Sequence, residues 1–385
     1  MEMTTLGDLI SLQRGYDLTE TQRRPGTKPI VGSAGVHGYH DTARAKGPGV
    51  ALGRSGASFG KVSFVEEDYW PHNTTIFVTD FKGNEPVFIR YLLESLDFSS
   101  LNSGSAQQSL NRNYVYLVPV KKFPLPIQRR IAGILSAYDE LIENSQRRIK
   151  ILESMARAFY REWFVHFRFP GHESVPRVPS PLGDIPTGWE VRKLADFVTT
   201  KYGYTESTNV EPVGPKYLRG MDINKTSFID WSQVPYCPIS QEDHEAYRLK
   251  VGDVLVIRMA DPGKVGIVEQ EVDAVFASYL IRVAPKDERL SPYFLFYLME
   301  SAEYYAYITG ASTGTTRKSA SAGVIADYQF AVPPQNLIAQ FEQRASEFRS
   351  LLTTLLEQVV NLRRTRDLLL PRLLSGQIDV EAIAS

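Results

Sequence analysis

Apolar residues recur at alternating spacings of three and four in two long stretches of the chain. The first stretch runs from residue 127 to about residue 164, and the second from residue 335 to about residue 370. Such spacing over about five heptads predicts a coiled-coil seam, with each helix roughly 50–60 Å long. The predicted seam residues are Ile131, Leu135, Tyr138, Ile142, Ile149, Leu152, Phe159, Phe341, Phe348, Leu352, Leu355, Val359 and Leu362.

A block of short apolar runs, broken by Gly, Pro, Asn and Ser, precedes each helical stretch. β-branched and aromatic residues dominate these runs, which therefore predict strands. The predicted strands are 50–52, 62–65, 75–78 and 115–120 in the first block, and 254–257, 265–268, 279–283 and 328–332 in the second. Residues 87–96 and 293–307 have helical spacing and predict one shorter helix in each block.

The second half of the chain repeats the first. The helical stretches open with one pattern, found at Pro126, Gln128, Ile131 and Ala132 and again at Pro333, Gln335, Ile338 and Ala339. Within the blocks, Gly15-Tyr16 corresponds to Gly203-Tyr204, and Gly60-Lys61 to Gly263-Lys264. The offset between the copies grows from 188 to 203, so the second block carries an insertion between Tyr204 and Gly252.

These patterns predict an α+β fold of two pseudo-symmetric domains and two long helices. The predicted boundaries are 1–126 for the first domain, 127–168 for the first helix, 169–188 for a linker, 189–333 for the second domain, and 334–385 for the second helix with the C-terminal segment. Two matched helices in one chain can pack as an antiparallel pair that holds the domains apart. The helix pattern alone is equally typical of coiled coils that associate with other copies of the chain.

Composition narrows the class of protein. The chain of 385 residues is 43% hydrophobic and 23% charged, which is typical of a soluble globular protein. Its single cysteine, Cys237, excludes an internal disulfide framework and favours a reducing, cytoplasmic environment. The N-terminal residues do not predict a signal peptide, and no run of 18 apolar residues predicts a membrane span.

The overall charge of the chain does not indicate a DNA ligand, although one segment is basic. The net charge is −1, yet residues 120–170 hold 10 basic and 5 acidic residues. A protein that held DNA through its phosphates alone would be more basic overall. Either DNA is not the ligand, or a basic partner supplies part of the contact.

The chain lacks the motifs of the common enzyme classes. Segment 56–62 fails as a phosphate-binding loop, because its spacing is wrong and valine follows Lys61. The histidines and Cys237 have no metal-ligand spacing, and we interpret the nearest pair, His37 and His40, as loop residues. We therefore predict no catalytic residue and no metal site.

Two segments resemble the conserved regions of one family. Phe123–Phe164 and Leu362–Val380 resemble those of the specificity subunits of Type I restriction–modification systems. The repeated Pro-x-Gln pattern and the polar segment 103–111 also fit, so the resemblance covers the whole chain. It implies two target recognition domains, 1–126 and 189–333, held apart by two antiparallel helices. Each domain would read one half of a bipartite DNA sequence, and the helices would set the gap between the halves.

The resemblance also implies partners and cofactors. The chain itself would be non-catalytic and bind no cofactor. It would bind double-stranded DNA and two methyltransferase subunits that carry S-adenosylmethionine, together with restriction subunits that use ATP and Mg in systems that have them. The location would be the cytoplasm of a prokaryote. The alternative from another class is a coiled-coil scaffold or protein-interaction module that does not recognise DNA sequence.

Polar clusters at matched positions supply the candidate DNA-binding residues, since Arg suits guanine and Asn or Gln suits adenine. In the first domain they are Arg14, Tyr16, Arg54, Ser55, Lys61, Gln107, Gln108, Asn111, Arg112 and Asn113. In the second domain they are Lys201, Tyr204, Arg258, Lys264, Thr315, Thr316, Arg317 and Lys318. The alternatives are polar loops, solvated turn lysines and core tyrosines. Because the two sets differ, we expect two different half-sites and an asymmetric target.

Overall fold

The computed structural model describes residues 2–102, 108–224, 226, 228–313 and 318–380. The chain divides into two compact units, residues 1–146 together with 357–385, and residues 147–356. Each unit therefore contains one globular block and one part of each long helix.

The first unit combines short strands with three short helices and the start of a long one. Its elements are β1 (Met3–Thr5), α1 (Leu6–Leu9), β2 (Ser11–Arg14), β3 (Lys28–Gly32), β4 (Gly35–His40), β5 (Gly49–Gly53), β6 (Val62–Val65), β7 (Trp70–Pro71), β8 (Thr75–Asp80), α2 (Pro86–Glu94), α3 (Arg112–Tyr116), β9 (Pro119–Lys121) and α4 (Leu125–Tyr160), which continues into the second unit. Single 3-10 turns lie at Glu20–Gln22, Gly56–Ser58 and Ser99–Leu101.

A four-stranded antiparallel sheet in the order β2-β8-β5-β6 forms the centre of the first unit. Strand β3 pairs antiparallel with β4 and parallel with β7, while β1 pairs antiparallel with β9. Helix α2 places Phe88 and Leu92 in one core with Val50 and Ile76 of the sheet. Each such buried side chain contributes about 1.5–3 kcal/mol to folding, so α2 and the sheet stabilise each other.

The second unit repeats most of these elements, without a described counterpart of β4, and adds others. Its elements are β10 (Arg177–Val178), β11 (Ile185–Pro186), β12 (Glu190–Lys193), β13 (Val198–Tyr202), β14 (Lys216–Leu218), α5 (Gly220–Ile223), α6 (Gln241–Tyr247), β15 (Val254–Ile257), β16 (Val265–Ile267), β17 (Ala274–Phe276), β18 (Leu280–Pro285), α7 (Pro292–Glu300), α8 (Ala302–Ala311), α9 (Ala322–Ala326), β19 (Gln329–Val332) and α10 (Gln335–Leu374), which continues into the first unit. A π-helical turn, Arg161–Val165, follows α4, and 3-10 turns lie at His172–Ser174 and Leu194–Asp196.

The central sheet of the second unit has the order β13-β18-β15-β16 and matches the sheet of the first unit strand for strand. The parallel pair β14–β17 corresponds to β3–β7, and the antiparallel pair β12–β19 to β1–β9. Helices α7 and α9 take the places of α2 and α3. The insertion predicted after Tyr204 contains α5 and α6.

The facing sides of the long helices are apolar, and the predicted seam residues lie there. The buried ones are Ile131, Leu135, Ile142, Ile149, Phe341, Leu352, Leu355 and Val359, and the half-buried ones are Tyr138, Leu152, Phe159, Phe348 and Leu362. Burial at every third or fourth residue is the pattern that the heptads require.

The helices run antiparallel in each unit. In the first unit Arg366 of α10 contacts Asp139 of α4, and Leu373, farther along α10, shares a core with Ile131. In the second unit Phe341 near the start of α10 stacks on Phe159 near the end of α4, with ring centroids 5.3 Å apart. The predicted fold class is confirmed: α+β, with two similar domains and two long antiparallel helices.

Asp139 of α4 joins α2 and α10 within the first unit. Its carboxylate accepts hydrogen bonds from Arg366 Nη1 at 2.6 Å, Arg90 Nη2 at 2.9 Å and the Tyr91 hydroxyl at 2.7 Å. Burial acts to raise the pKa of Asp139, but the bonds from Tyr91 and Arg366 and the two guanidinium charges outweigh it, so the pKa is lowered. The carboxylate therefore stays ionised and holds three helices together.

The Pro-x-Gln pattern at the start of α4 has a structural explanation. The Gln128 side chain is buried; it donates to Asn84 Oδ1 at 2.7 Å and to the Phe123 carbonyl at 2.8 Å, and accepts from Glu85 N at 2.9 Å. It thereby satisfies backbone groups where α2 and α4 begin. At the matching position Gln335 is exposed and donates to the Glu288 carbonyl at 2.6 Å.

Two local predictions are wrong. Residues 115–117, predicted as part of a strand, belong to or follow α3, because Asn111 caps that helix by accepting a hydrogen bond from Asn113 N. The single helix predicted over 293–307 is two helices, because Ser301 has an extended backbone and caps α8 by accepting from Tyr304 N at 3.1 Å.

Candidate DNA interface

The candidate residues of the first unit gather at one end of its central sheet, which we call the first sheet end; the equivalent end in the second unit is the second sheet end. At this end β2 finishes at Arg14 and β5 at Gly53, while β6 begins at Val62 and β8 at Thr75. At the opposite end of the sheet, β8 leads into α2. The second unit has the same arrangement, with the ends of β13 and β15 beside the starts of β16 and β18.

Both units make the same close backbone approach beside this end of the sheet. A Cβ atom on Gly15 would lie 2.1 Å from the His72 carbonyl oxygen, and one on Gly203 would lie 2.2 Å from that of Ala277. Only glycine fits at these distances. The tyrosine that follows each glycine forms a parallel bridge to the same partner residue. The repeated Gly-Tyr pair therefore marks a backbone crossing that both units share.

The two tyrosines are half-buried. The ring centroid of Tyr16 lies 6.5 Å from that of Trp70 and 5.5 Å from the guanidinium of Arg44. The ring of Tyr204 lies 5.4 Å from that of Tyr247, and burial raises its pKa. Tyr16 packs against a core that includes Ala51 and Phe77 of the central sheet, whereas Tyr204 packs against Tyr217 and Val275 of the β14–β17 pair.

In the first unit, the start of segment 108–113 lies against the end of β5. Ser55 forms an antiparallel bridge with Ser109, and Leu110 N donates to the Arg54 carbonyl at 2.8 Å. Gln108 beside them is exposed. The structure therefore brings Arg54, Ser55 and Gln108 together, although they are distant in sequence.

The rest of that segment begins α3. The Asn111 side-chain oxygen accepts from Asn113 N at 3.0 Å, and Arg112 Nη1 donates to the Leu12 carbonyl at 3.4 Å. All three candidates, Asn111, Arg112 and Asn113, are exposed. The oxygen of Asn111 stabilises the helix start, and the arginine reaches back towards β2.

Arg14 and Lys61 are two further exposed charges of the first sheet end. Arg14 Nη2 lies 3.5 Å from an oxygen of Asp17, and their side chains are exposed. Lys61 Nζ donates to the Ala34 carbonyl at 2.9 Å. Exposed pairs of this kind contribute about 0–1 kcal/mol, so both side chains can exchange these partners for a ligand at little cost.

Arg258 occupies the corresponding place in the second unit. Ala320 N donates to the Arg258 carbonyl at 2.9 Å, and exposed Lys318 precedes this contact by two residues. Lys264 Nζ lies 5.0 Å from the ring centroid of Tyr305. The same sheet end therefore carries Arg258, Lys264 and Lys318.

Lys201 lies apart from these residues. Its Nζ donates to the Ala246 carbonyl at 2.6 Å and sits 4.4 Å from the ring centroid of Tyr247, both on α6. The structure thus places Lys201 against the inserted helix. Tyr202, the next residue, lies instead beneath Arg258, with 4.9 Å from its ring centroid to the guanidinium carbon.

Four candidates, Gln107, Thr315, Thr316 and Arg317, lie outside the described residues. Their described neighbours Gln108 and Lys318 lie at the equivalent sheet ends of the two units.

Sequence reasoning missed a pair of histidines at the first sheet end. The rings of His37 and His72 are 5.3 Å apart, and Arg23 Nη2 lies 3.3 Å from His37 Nε2. Burial and the charge of Arg23 lower the pKa of His37, while burial and the charges of His37 and Arg23 lower that of His72. The interpretation of His37 and His40 as loop residues is wrong, because both lie in β4.

Two exposed tyrosines at the second sheet end were also missed. Tyr202 is 43% exposed and Tyr279 is 56% exposed, and the Tyr279 carbonyl accepts a hydrogen bond from Arg258 N at 3.0 Å. The alternation of strand β13 was the available signal for Tyr202, because it directs Lys201 and Tyr202 to opposite faces. No sequence pattern connects Tyr279 to Arg258.

The geometry defines a binding protein with two related surfaces. Each unit presents Arg, Lys, Tyr or amide side chains at the same end of an equivalent sheet, and the two sets differ. Within the described ranges, no group of three or more His, Cys, Asp or Glu residues is arranged to hold a metal ion. No helix in the described part of the chain is long and apolar enough to cross a membrane.

Comparison of the sequence with known proteins identifies a family that matches it. A model of the Type I restriction modification DNA specificity domain matches residues 1–154 and 186–359. The MjaIX specificity subunit of a Type I restriction enzyme from Methanocaldococcus jannaschii is 25% identical over 316 residues, 77% of this chain and 70% of that protein. The MjaVIII specificity subunit from the same organism is 24% identical over 304 residues, with the same coverage.

A solved structure shares the fold. The Type I restriction–modification S subunit from M. genitalium superposes with a TM-score of 0.64 at 16% identity, covering 97% of this chain and 96% of that one. Because the family model matches both halves of the sequence, the chain belongs to the family of Type I restriction–modification DNA specificity domains. Membership supports DNA recognition over the alternative of a scaffold that does not recognise DNA sequence.

Proposed function

We propose that this chain is the DNA sequence-specificity subunit of a Type I restriction–modification complex. Each recognition domain binds one half of an asymmetric, bipartite site in double-stranded DNA. Helices α4 and α10 set the spacing between the halves and dock two methyltransferase subunits. The observation that carries the proposal is the repeated sheet end, where the same backbone presents different exposed side chains in the two domains.

We propose for the complex the division of labour that the resemblance to this family implies. The chain contributes recognition and no catalytic residue, while the methyltransferase subunits bind S-adenosylmethionine and modify the DNA. Restriction subunits, in systems that have them, use ATP and Mg. The net charge of −1 supports this division, because a chain with so little excess charge needs basic partners for the phosphate contacts.

Binding by the reconstituted complex tests this function. The chain is purified with its cognate methyltransferase and mixed with a randomised double-stranded DNA library. We expect retained DNA to share a bipartite motif with two different halves, and methylation to occur only at that motif. Retention of all sequences equally, or none, with the partner bound would contradict the proposal and favour a scaffold.

A further inference from the structure

We propose that Arg258 and Arg54 are the matched specificity-determining residues of the two domains, and that each reads a guanine in its own half-site. This inference rests on the proposed function and adds the base that each half-site must contain.

The backbone holds both arginines in the same way. Arg54 N donates to the Thr74 carbonyl at 2.9 Å, and Arg258 N donates to the Tyr279 carbonyl at 3.0 Å. The carbonyl of each arginine accepts a further bond, at 2.8 Å in the first domain and 2.9 Å in the second. Each arginine is therefore fixed between two neighbouring segments at the end of the central sheet.

The side chains also share one contact. Arg54 Nη1 donates to the Asn73 carbonyl at 3.5 Å, and Arg258 Nη1 donates to the Ser278 carbonyl at 3.4 Å. Asn73 and Ser278 each directly precede the residue that accepts the arginine's backbone N–H. Both guanidinium groups therefore lie beside equivalent carbonyls, at the long end of hydrogen-bond distances.

Arg258 is the more tightly held of the two. Its guanidinium lies over the ring of Tyr202, and its Nε is buried without a hydrogen-bond partner in the described structure. No carboxylate forms an ion pair with Arg54 or Arg258 within the described residues. A half-buried guanidinium that lacks an acidic partner gains most from a ligand with strong acceptors.

The orientation of the Arg54 and Arg258 guanidinium groups favours a base, rather than a phosphate, as their ligand. A phosphate can be approached from many directions by a mobile side chain, as exposed Lys61 and Lys318 allow. A planar guanidinium held on one side presents its remaining terminal N–H groups as a fixed fork. Guanine offers two acceptors, O6 and N7, to such a fork in the major groove. The sheet end therefore supplies lysines for the backbone of DNA and one arginine in each domain for a base.

The test uses the whole complex of the chain with its methyltransferase subunits and a randomised DNA library. For the native chain, we expect a G·C pair in each half-site. Arg258→Gln should reduce discrimination at one G·C position of the second half by about 5- to 150-fold and leave the first half unchanged. Arg54→Gln should do the reverse. Arg258→Lys, which keeps the charge, should show the same relaxation, so the test survives if the glutamine variant does not fold.

Arg289→Gln is the matched control. Arg289 is an exposed arginine of the second domain, paired with Asp287 at 2.8 Å, and it follows the opposite end of β18. The Arg289→Gln variant should leave the base preference at both half-sites unchanged. A half-site without any G·C pair would overturn the inference for that domain, as would an Arg258 variant that weakens binding to all sequences equally. If the native complex shows no motif at all, the proposed function itself fails.

Discussion

Arg349 of α10 and Glu269 form a buried ion pair in the second unit. The side chains are 2% and 17% exposed, respectively. Arg349 Nε donates to Glu269 Oε1 at 2.7 Å, a second bond joins Nη2 to Oε2, and the Tyr293 hydroxyl donates to Oε1 at 3.2 Å. Burial acts to lower the pKa of Arg349, but Glu269 outweighs it, so the pKa is raised and the guanidinium stays charged.

Removing one partner leaves the other charge buried, which costs about 3–5 kcal/mol in the free energy of unfolding. Glu269→Gln leaves the more deeply buried charge without its counter-ion, so we expect a loss near the upper end, about 4–5 kcal/mol. Arg349→Met isolates a carboxylate that is partly exposed and still accepts from Tyr293, so we expect about 3 kcal/mol. The double variant Arg349→Met/Glu269→Leu buries no charge and should regain most of the loss.

Urea unfolding followed by tryptophan fluorescence measures these losses. Of the four tryptophans, only Trp70 belongs to the first unit, so a Trp70→Phe background confines the signal to the second. Arg344→Met is the control on the same helix, because Arg344 pairs with Glu347 at 3.2 Å with both side chains exposed. It should cost less than about 1 kcal/mol. Additive losses in the double variant, or a larger loss for Arg349→Met than for Glu269→Gln, would refute the reasoning.

Three further predictions concern stability and use urea unfolding. Gly203→Ala should lower the free energy of unfolding by several kcal/mol, because its Cβ would lie 2.2 Å from the Ala277 carbonyl oxygen. The control Gly310→Ala, in helix α8 with open space around it, should raise the free energy of unfolding by up to about 1 kcal/mol. Gln128→Leu should cost about 1–3 kcal/mol, because it leaves buried backbone groups unpaired. Asp139 has a lowered pKa, so its contribution is present above its unfolded pKa and is lost as pH falls through the folded value; Asp139→Asn should therefore show a smaller drop in stability between about pH 5 and pH 2 than the native chain.

The long helices could be predicted from the sequence because their signal is local and repeated. Each heptad places an apolar residue on the same face, and the structure buries residues such as Leu352 and Val359 on that face. The antiparallel pairing also followed, since the two halves repeat in order within one chain. The Gly-Tyr repeats marked real backbone crossings, because only glycine tolerates the approach at Gly15 and Gly203.

The errors came where a capping residue or a distant contact decides the local structure. Segment 115–118 is rich in aromatic and β-branched residues, which favours a strand, yet the Asn111 cap and the hydrogen bond from the Tyr116 hydroxyl to the Leu12 carbonyl at 3.1 Å favour a helix. The helix over 293–307 breaks at Ser301 for a similar reason. Propensity is a weak prior that tertiary contacts override.

The candidate site could be predicted as a set of polar residues but not as an arrangement. Residue type and duplication pointed to Arg54, Arg258 and the two polar segments. Which of these residues meet depends on strand order, and no local pattern encodes that order. The bridge between Ser55 and Ser109, and the exposure of Tyr279 beside Arg258, depend on contacts between segments that are distant in sequence.

The two sheet ends show how such a fold can change specificity without losing stability. The bonds that hold Arg54 and Arg258 run to and from backbone groups, and backbone groups are the same whatever the side chain. The residues around them are then free to differ: Arg14 stands where the second domain has Tyr202. An exposed substitution at such a position usually changes stability by less than about 0.5 kcal/mol. Recognition can therefore diverge between the domains while the sheet, the glycine crossing and the long helices stay constant.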